Sequence, residues 1–510
     1  REKKFDILLT NGTIVDGLGN NRFSGDIAIK GDRIVEVSAS HMDPSLADSV
    51  VDVGGRIISP GFIDLHAHIQ TTIHRFPQPE NFLRQGITTI CASLHSGDQP
   101  YPIKDYAEAL RVAPNVAFFS GLNWTRKRVM GLADRKPTAL ELDSMKYFVR
   151  QSMQQGALGF SVGLIYVPGL YASTDEIITL AREAARVDGL YVTHMRNEGS
   201  GLLNSIRETI KVSKATGMRA QINHFKAAGV AQFGLAARGL AIIDSARNAG
   251  IDISLDVYPY TAANTYSYIL FPSWALDGGS SALRDRLNNP GLRAKIAREM
   301  RSILLNDETG EDLWRIQFNQ LPSDTTFNGR TLEDYVKAKG YENSLDGGIQ
   351  AIMDLELKGG FLAIYHEMDE EDVINIIKHP QAMIETDGDL VDADGMFPHP
   401  RSYGSFPRVI ARYVRELKVI TLEEAVRKMT SMPADQIRQS DRGRIAAGAF
   451  ADLVVFDEHT LTDHATYSAS RQYSTGIEQM LINGVWVISN NRLTGATPGR
   501  WLRNRDQIDH

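Results

Sequence analysis

Ser59-Pro60-Gly61-Phe62-Ile63-Asp64-Leu65-His66-Ala67-His68 is the stretch on which the fold turns. Pro60 and Gly61 interrupt the chain, and Phe62 to Leu65 then read as a short buried strand with His66 and His68 at its end. Residues two apart on a strand point to the same side, so both imidazoles can reach one ion. Neutral imidazole is a common zinc ligand, and two from one rigid strand lower the cost of ordering a site. Taken alone, His-x-His is as well explained by chance proximity or a hydrogen-bonded core histidine. Later strands have to supply the remaining ligands.

Strand texture recurs at 61–66, 87–94, 115–120, 157–162, 189–194, 219–224, 252–257 and 382–387. Helical stretches fall between most of these, such as 175–188 and 200–216. Eight strands alternating with helices is the α/β pattern of a (β/α)8 TIM-like barrel, expected over 57–439. Residues 265–350 carry only helical and loop texture, too long for an ordinary connection. They read as an inserted subdomain before the last barrel strand, over the active-site face.

The two chain ends differ from the middle. Ile7-Leu8-Leu9, Thr13 to Asp16, Asp26 to Ile29 and Arg33 to Val37 are short strands, with turns at Asn11-Gly12 and Lys30-Gly31-Asp32. Ala451-Asp452-Leu453-Val454-Val455-Phe456 and the hairpin from Ile482 to Val487 have the same texture. Isolated hairpins are rarely stable, so residues 1–56 and 440–510 are expected to form one small β-sandwich-like domain.

Composition narrows the function classes. With 43% hydrophobic and 23% charged residues, the chain has a globular balance. A net charge of −7 provides no general attraction to nucleic acid or anionic membranes. No apolar run is long enough to span a bilayer. The single Cys91 excludes an internal disulfide and leaves the redox compartment undetermined. Because the first residue is Arg1, localisation stays open: cytoplasmic, or periplasmic or secreted if a signal peptide preceded it.

Reading the strand ends in order yields His66, His68, His95, His194, His224 and Asp387. The chain has 13 histidines, so five at strand ends is more than scatter. In such barrels the C-terminal strand ends converge on one mouth. Zinc held by neutral histidines lowers the pKa of its bound water to about 7. Asp387 can ligate, take the water proton and pass it to a leaving amine. That combination suits hydrolysis of an amide or related acyl bond. Elsewhere, Met368-Asp-Glu-Glu-Asp372 reads as an acidic helix start. His366-Glu367 lacks the second His of a zinc-protease motif, and His379, His459 and His464 read as surface residues.

Nearly end to end, the chain resembles the amidohydrolase superfamily and, within it, the N-acyl-D-amino-acid deacylases (D-aminoacylases). The carrying stretches are Pro60-Gly-Phe-Ile-Asp-Leu-His-Ala-His68, Gly86-Ile-Thr-Thr89, Gly156-Ala-Leu-Gly-Phe-Ser-Val-Gly-Leu-Ile-Tyr166 and Thr193-His-Met-Arg-Asn-Glu-Gly199. Asn223-His-Phe-Lys226, Asp256-Val-Tyr-Pro-Tyr-Thr261, Thr386-Asp-Gly388, His399-Pro-Arg-Ser-Tyr-Gly-Ser-Phe-Pro-Arg408 and Ala451-Asp-Leu-Val-Val-Phe456 complete them. The resemblance implies a tight zinc site at position 95, His194 and His224, and a weaker second site at His66, His68 and Asp387. It makes Asp387 the general acid/base and places Lys226, Tyr258 and Arg401 on the substrate. Arg401 suits that role as a fork for a free carboxylate.

Three departures stand out. The family usually has a metal-bridging Cys where His95 falls, whereas Cys91 sits inside the predicted strand as a small buried hydrophobe. Asn264 occupies a substrate-side position where the family often has Ser. Gly121-Leu-Asn-Trp-Thr-Arg126 lacks a His that many members carry after the Gly. The reading is therefore a zinc-dependent hydrolase of N-acyl-D-amino acids with one tightly bound zinc and a weaker second site. Its partner is a small-molecule N-acyl amino acid rather than nucleic acid; a homo-oligomer is left open. Two rivals remain: a sister amidohydrolase acting on cyclic amides, lactones or peptide-like natural products, and a catalytically inactive binding or scaffold barrel.

Overall fold

In the computed structural model, residues 3–92, 95, 97–391 and 395–505 are described. Positions 93 and 94 of the expected strand 87–94, and the outermost residues of the expected β-domain (1–2 and 506–510), lie outside them. The strand Phe62–His68 is buried along almost its whole length and pairs in parallel with Ile87–Ala92, which pairs in turn with Asn115–Ala117. On the other side of Phe62–His68, the short strand Gly388–Asp389 runs beside Ala67 and His68 and forms the outer edge. A second, six-stranded parallel sheet has the order Ala382–Ile384, Ile253–Val257, Ala220–Ile222, Leu190–His194, Gly159–Gly163, Ser120–Gly121.

Among the described residues, the ladders thus define two parallel arcs rather than one closed ring. Two chain segments pass from one arc to the other: 115–121, broken at Phe118 and Phe119, and 382–389, broken at Glu385 to Asp387. Helices cover the strands for identifiable reasons. In Thr174–Ala185, Ile177, Leu180, Ala181 and Ala184 share a buried face at helical spacing. Ser173 caps that helix by accepting from the Glu176 N–H, a contact worth about 1 kcal/mol.

Strands from both chain ends lie in a single nine-stranded mixed sheet. Ile57–Pro60 is its link to the strand Phe62–His68, running parallel to Phe5–Ile14 and antiparallel to Leu453–Phe456. Gly61 follows where a Cβ would fall 2.2 Å from Thr88 Oγ1, so a larger residue would force the first two parallel strands apart.

Between residues 263 and 365 the structure departs from the expected helix-and-loop texture. Ala263–Tyr266, Leu362–Tyr365 and Ile316–Gln320 form an antiparallel three-stranded sheet, packed with Pro290–Asp307 and Leu345–Leu357 around their own apolar cluster. Ile316 to Gln320 is short, and its partner Leu362–Tyr365 lies outside the window 265–350, so the pairing has no local signature. No helix of the described residues is long and apolar enough to cross a membrane.

Candidate metal centre and substrate cleft

His66 and His68, on one face of their strand, meet Asp387, which directly precedes the neighbouring strand Gly388–Asp389. Asp387 Oδ1 lies 2.7 Å from His68 Nε2 and 3.1 Å from His66 Nε2. The Asp387 N–H donates to the His66 carbonyl at 2.9 Å, so the backbone as well as the side chain is tied to this strand. His224 and Asp387 both adopt left-handed backbone, with φ of 37° and 46°. Such conformations in non-glycine residues cost on the order of 1–3 kcal/mol and concentrate where side chains are aimed at a site. The Asp256 carboxylate holds the first of these turns by accepting from the His224 N–H at 2.5 Å and the Asn223 side chain at 3.0 Å.

The five imidazoles crowd together. His95 stacks on His66 with centroids 4.8 Å apart and meets His194 edge-on at 5.3 Å; His194 and His224 are 4.4 Å apart. Gly163 makes room for His95, since a Cβ there would sit 2.8 Å from the His95 Cβ. Three overlapping sets of potential ligands result: His66, His95 and His224; His66, His68 and Asp387; and His194, Glu198 and His224. The second contains the residues implied for the weaker site. His95, His194 and His224, implied for the tight site, are divided between the first and third sets instead of forming one alone.

The donor chemistry fits zinc. Both ring nitrogens of His194 are buried without a hydrogen-bond partner. Orphaned polar atoms of this kind cost about 1–3 kcal/mol each unless something binds them. Burial pushes His95, His194 and His224 well below the usual imidazole range, which keeps them neutral with a lone pair to donate. For Asp387 burial works upward, but the Arg401 guanidinium and the His66 and His68 rings outweigh it and hold the carboxyl well below its ordinary value.

A cleft opens beside these groups, lined by His194, Glu198, His224, Lys226, Tyr258, Asn264, Asp387 and Arg401. Lys226 Nζ is 2.9 Å from Glu198 Oε2 and 2.7 Å from His224 Nδ1. The Tyr258 hydroxyl is buried and unpartnered, and its ring lies under Arg401 at 4.7 Å. Arg401 is buried, with Nη1 3.1 Å from Asp387 Oδ2, Nη2 donating to the Asn264 carbonyl at 3.4 Å, and Nε unpartnered. The Asn264 side chain accepts from Asn319 at 2.9 Å. A second cleft, lined by His68, Tyr166 and Tyr266 among others, adjoins the first at Asn264, Thr265 and Arg401.

All the sequence-derived candidates therefore lie at this centre or its cleft. Cys91 is fully buried in the apolar core on Ile87–Ala92 and belongs to none of the ligand sets. In the stretch without the family's His, Asn123 is buried and donates to the carbonyls of Gly163 and Tyr166. His379 is corrected: it is buried, not a surface residue, and its Nε2 lies 2.8 Å from Asp244. Sequence reasoning passed over Glu198, which stands 2.9 Å from His224 Nδ1 and 3.8 Å from His194 Nε2. It also passed over Asp64, which accepts from the Thr386 hydroxyl at 2.5 Å and the His66 N–H at 3.2 Å. Both stood inside recognised motifs, and the i,i+4 spacing of His194 and Glu198 was the available signal.

Fold and site together define a metal-dependent hydrolase with a buried histidine–carboxylate centre. A family model described as "Amidohydrolase family" matches residues 372–488. N-acyl-D-glutamate deacylase of Alcaligenes xylosoxydans xylosoxydans is 34% identical across 99% of this chain and 98% of its own length. D-aminoacylase of the same organism is 32% identical across 98% and 97%. A solved D-aminoacylase structure, from work on its binuclear metal centre, superposes with a TM-score of 0.83 at 31% identity, covering 98% of this chain and all of that one. N-acyl-D-glutamate deacylase from Bordetella bronchiseptica, complexed with zinc and a phosphonate mimic of the tetrahedral intermediate, superposes at 0.81 with 30% identity, 98% and 100% covered. The chain belongs to the amidohydrolase family, in its N-acyl-D-amino-acid deacylase (D-aminoacylase) branch.

Proposed function

We propose that this protein hydrolyses the amide bond of N-acyl-D-amino acids in a zinc-dependent reaction. The observation that carries the proposal is the buried convergence of five imidazoles and Asp387 beside a cleft that also presents Arg401, Lys226 and Tyr258. The D-configuration is taken from the relatives' activities. His66, His68, His95, His194, His224 and Asp387 would hold zinc, which when bound supplies an activated water and polarises the scissile carbonyl. Water adds across the C–N bond: the acyl carbon gains the hydroxyl and the amine nitrogen gains the proton.

Asp387 Oδ1 is the group placed to hold that proton and deliver it to the leaving nitrogen. It stays ionised in the resting protein because Arg401 and the two histidines stabilise the carboxylate. Arg401 and Lys226 are the cations of the cleft, and with the Tyr258 hydroxyl they would anchor the substrate carboxylate; the unpartnered Arg401 Nε and Tyr258 hydroxyl supply donors for it. In the same reading, the two arcs form one eight-stranded ring through segments 115–121 and 382–389, residues 57–439 carry the hydrolase unit, and both chain ends make the accessory β-domain.

The test is a panel of paired N-acetyl-D- and N-acetyl-L-amino acids on zinc-loaded protein, run beside hydantoins and lactones. Turnover of D-substrates is expected. Turnover confined to the cyclic compounds would overturn the deacylase reading.

A further inference from the structure

The cleft that presents Lys226 and Tyr258 is also lined by three further carboxyl groups: Asp307 and Glu308 of the inserted region, and Glu367 just beyond it. Asp307 ends the helix Pro290–Asp307, and Glu367 follows the strand Leu362–Tyr365. Glu308 and Glu367 are 7% and 5% exposed and hydrogen-bond to one another, which requires one proton between them. Burial first, and repulsion from neighbouring carboxylates second, push Glu308 well above its usual range. Burial raises Glu367 too, to about 7, against the pull of Glu308 and Lys226, while Asp307 and Glu198 add to the negative field it experiences.

Of the cleft's cations, Lys226 acts on this charge from a distance, lowering Glu367 against its burial, while Lys226 and Arg401 both have their ion pairs elsewhere. Lys226 is held by Glu198 at 2.9 Å and Arg401 by Asp387 at 3.1 Å. Glu367 Oε2 is buried without a hydrogen-bond partner, in a residue that lines the cleft. A buried, uncompensated carboxylate is costly, and a cation that reaches it recovers a charge-assisted hydrogen bond. A resident metal is not indicated, because Asp307, Glu308 and Glu367 appear in none of the ligand sets found among the described residues. A further source of positive charge is the substrate.

We propose that this wall receives the cationic side chain of a basic N-acyl-D-amino acid, with the ammonium or guanidinium of a D-lysine or D-arginine derivative bound at Glu367 and Asp307. This rests on the deacylase reading, and it makes N-acyl-D-glutamate a poor substrate here. The carboxylate-binding residues line the same cleft, which places the amino-acid half in it and leaves the adjoining cleft for the acyl group.

Steady-state kinetics on zinc-loaded protein with N-acetyl-D-lysine, N-acetyl-D-norleucine and N-acetyl-D-glutamate test it. The lysine derivative should exceed norleucine in kcat/KM by about tenfold or more, the worth of one charge-assisted hydrogen bond, and should exceed glutamate further. In Glu367→Gln the lysine-over-norleucine ratio should fall toward one. Equal or better turnover of norleucine or glutamate by the unsubstituted protein overturns the proposal, as does a ratio unchanged in Glu367→Gln. If no D-substrate is turned over, the deacylase reading fails separately. Calorimetry with the free amino acids then decides the wall's preference: tighter binding of D-lysine than D-norleucine upholds it, and equal or weaker binding overturns it.

Discussion

Asp387 and Arg401 form a buried ion pair, with Asp387 Oδ2 3.1 Å from Arg401 Nη1 while the other carboxylate oxygen faces His66 and His68. One carboxylate thus joins the histidine centre to the guanidinium expected to hold the substrate carboxylate. Proton transfer and substrate anchoring share a contact, so a change at either residue reaches both functions.

Asp387→Asn tests the first half of that link. It keeps the shape of the side chain and removes its basicity, so kcat should fall by about 10²- to 10⁴-fold. It also leaves Arg401 buried without its counter-charge, and loss of one partner of such a pair costs about 3–5 kcal/mol, so the melting temperature should drop while the circular dichroism spectrum keeps its native form. Turnover close to that of the unsubstituted protein would remove Asp387 from the mechanism.

Arg401→Lys tests the second half. Lysine cannot span Asp387 and a substrate carboxylate as a planar fork does, so KM should rise strongly, about 10-fold or more, with kcat falling too because Asp387 loses its orienting partner. An N-acyl amine lacking the carboxylate provides the control. If its kcat/KM relative to the full substrate is the same in both proteins, Arg401 does not read the carboxylate.

The number of metals turns on His95, whose ring stacks on His66 and approaches His194. A thiolate has spare lone pairs and can bridge two cations. A neutral imidazole offers one, and burial keeps His95 neutral. About one tightly bound zinc per chain is expected by mass spectrometry after dialysis against chelator, and its loss in His95→Ala. Two chelator-resistant metals per chain would contradict this.

Acid stability gives a test at a histidine outside the candidate ligand sets. Burial, helped by Arg315, lowers His366 to about 4 while its Nε2 stays 2.9 Å from Gln317 Oε1. Between about pH 4 and the unfolded histidine value near 6.5, the unfolded chain binds the extra proton, so stability rises with pH across that window and is lost on acidification. With discount for partial exposure, this group contributes on the order of 2 kcal/mol. Urea midpoints measured from about pH 7 to about pH 4.5 should fall more steeply for the native protein than for His366→Gln. Parallel slopes would show that His366 does not carry the effect.

Periodicity and strand-end chemistry made the core of this protein legible from its residues. A short apolar run, a breaker before it and a histidine or aspartate after it recur from Phe62 to Asp387, and each such signal lies within a few consecutive residues. The histidines and Asp387 could be named for the same reason, whereas Lys226 and Arg401 came from the resemblance to the deacylases, in whose motifs they sit.

Only the tertiary structure decided what depends on residues far apart in the chain. The pairing of Ile316–Gln320 with Leu362–Tyr365, the contact of Asp387 with Arg401, and the meeting of Glu308 with Glu367 leave no periodic trace, because each partner's own sequence is compatible with several neighbours. Burial had the same status. His379 looks like a surface residue until its environment is known, and Glu367 stands directly before an acidic helix start, yet both are buried. The energy of a charged group is set by the groups folded around it, and those are specified by the whole chain rather than by its neighbours in sequence.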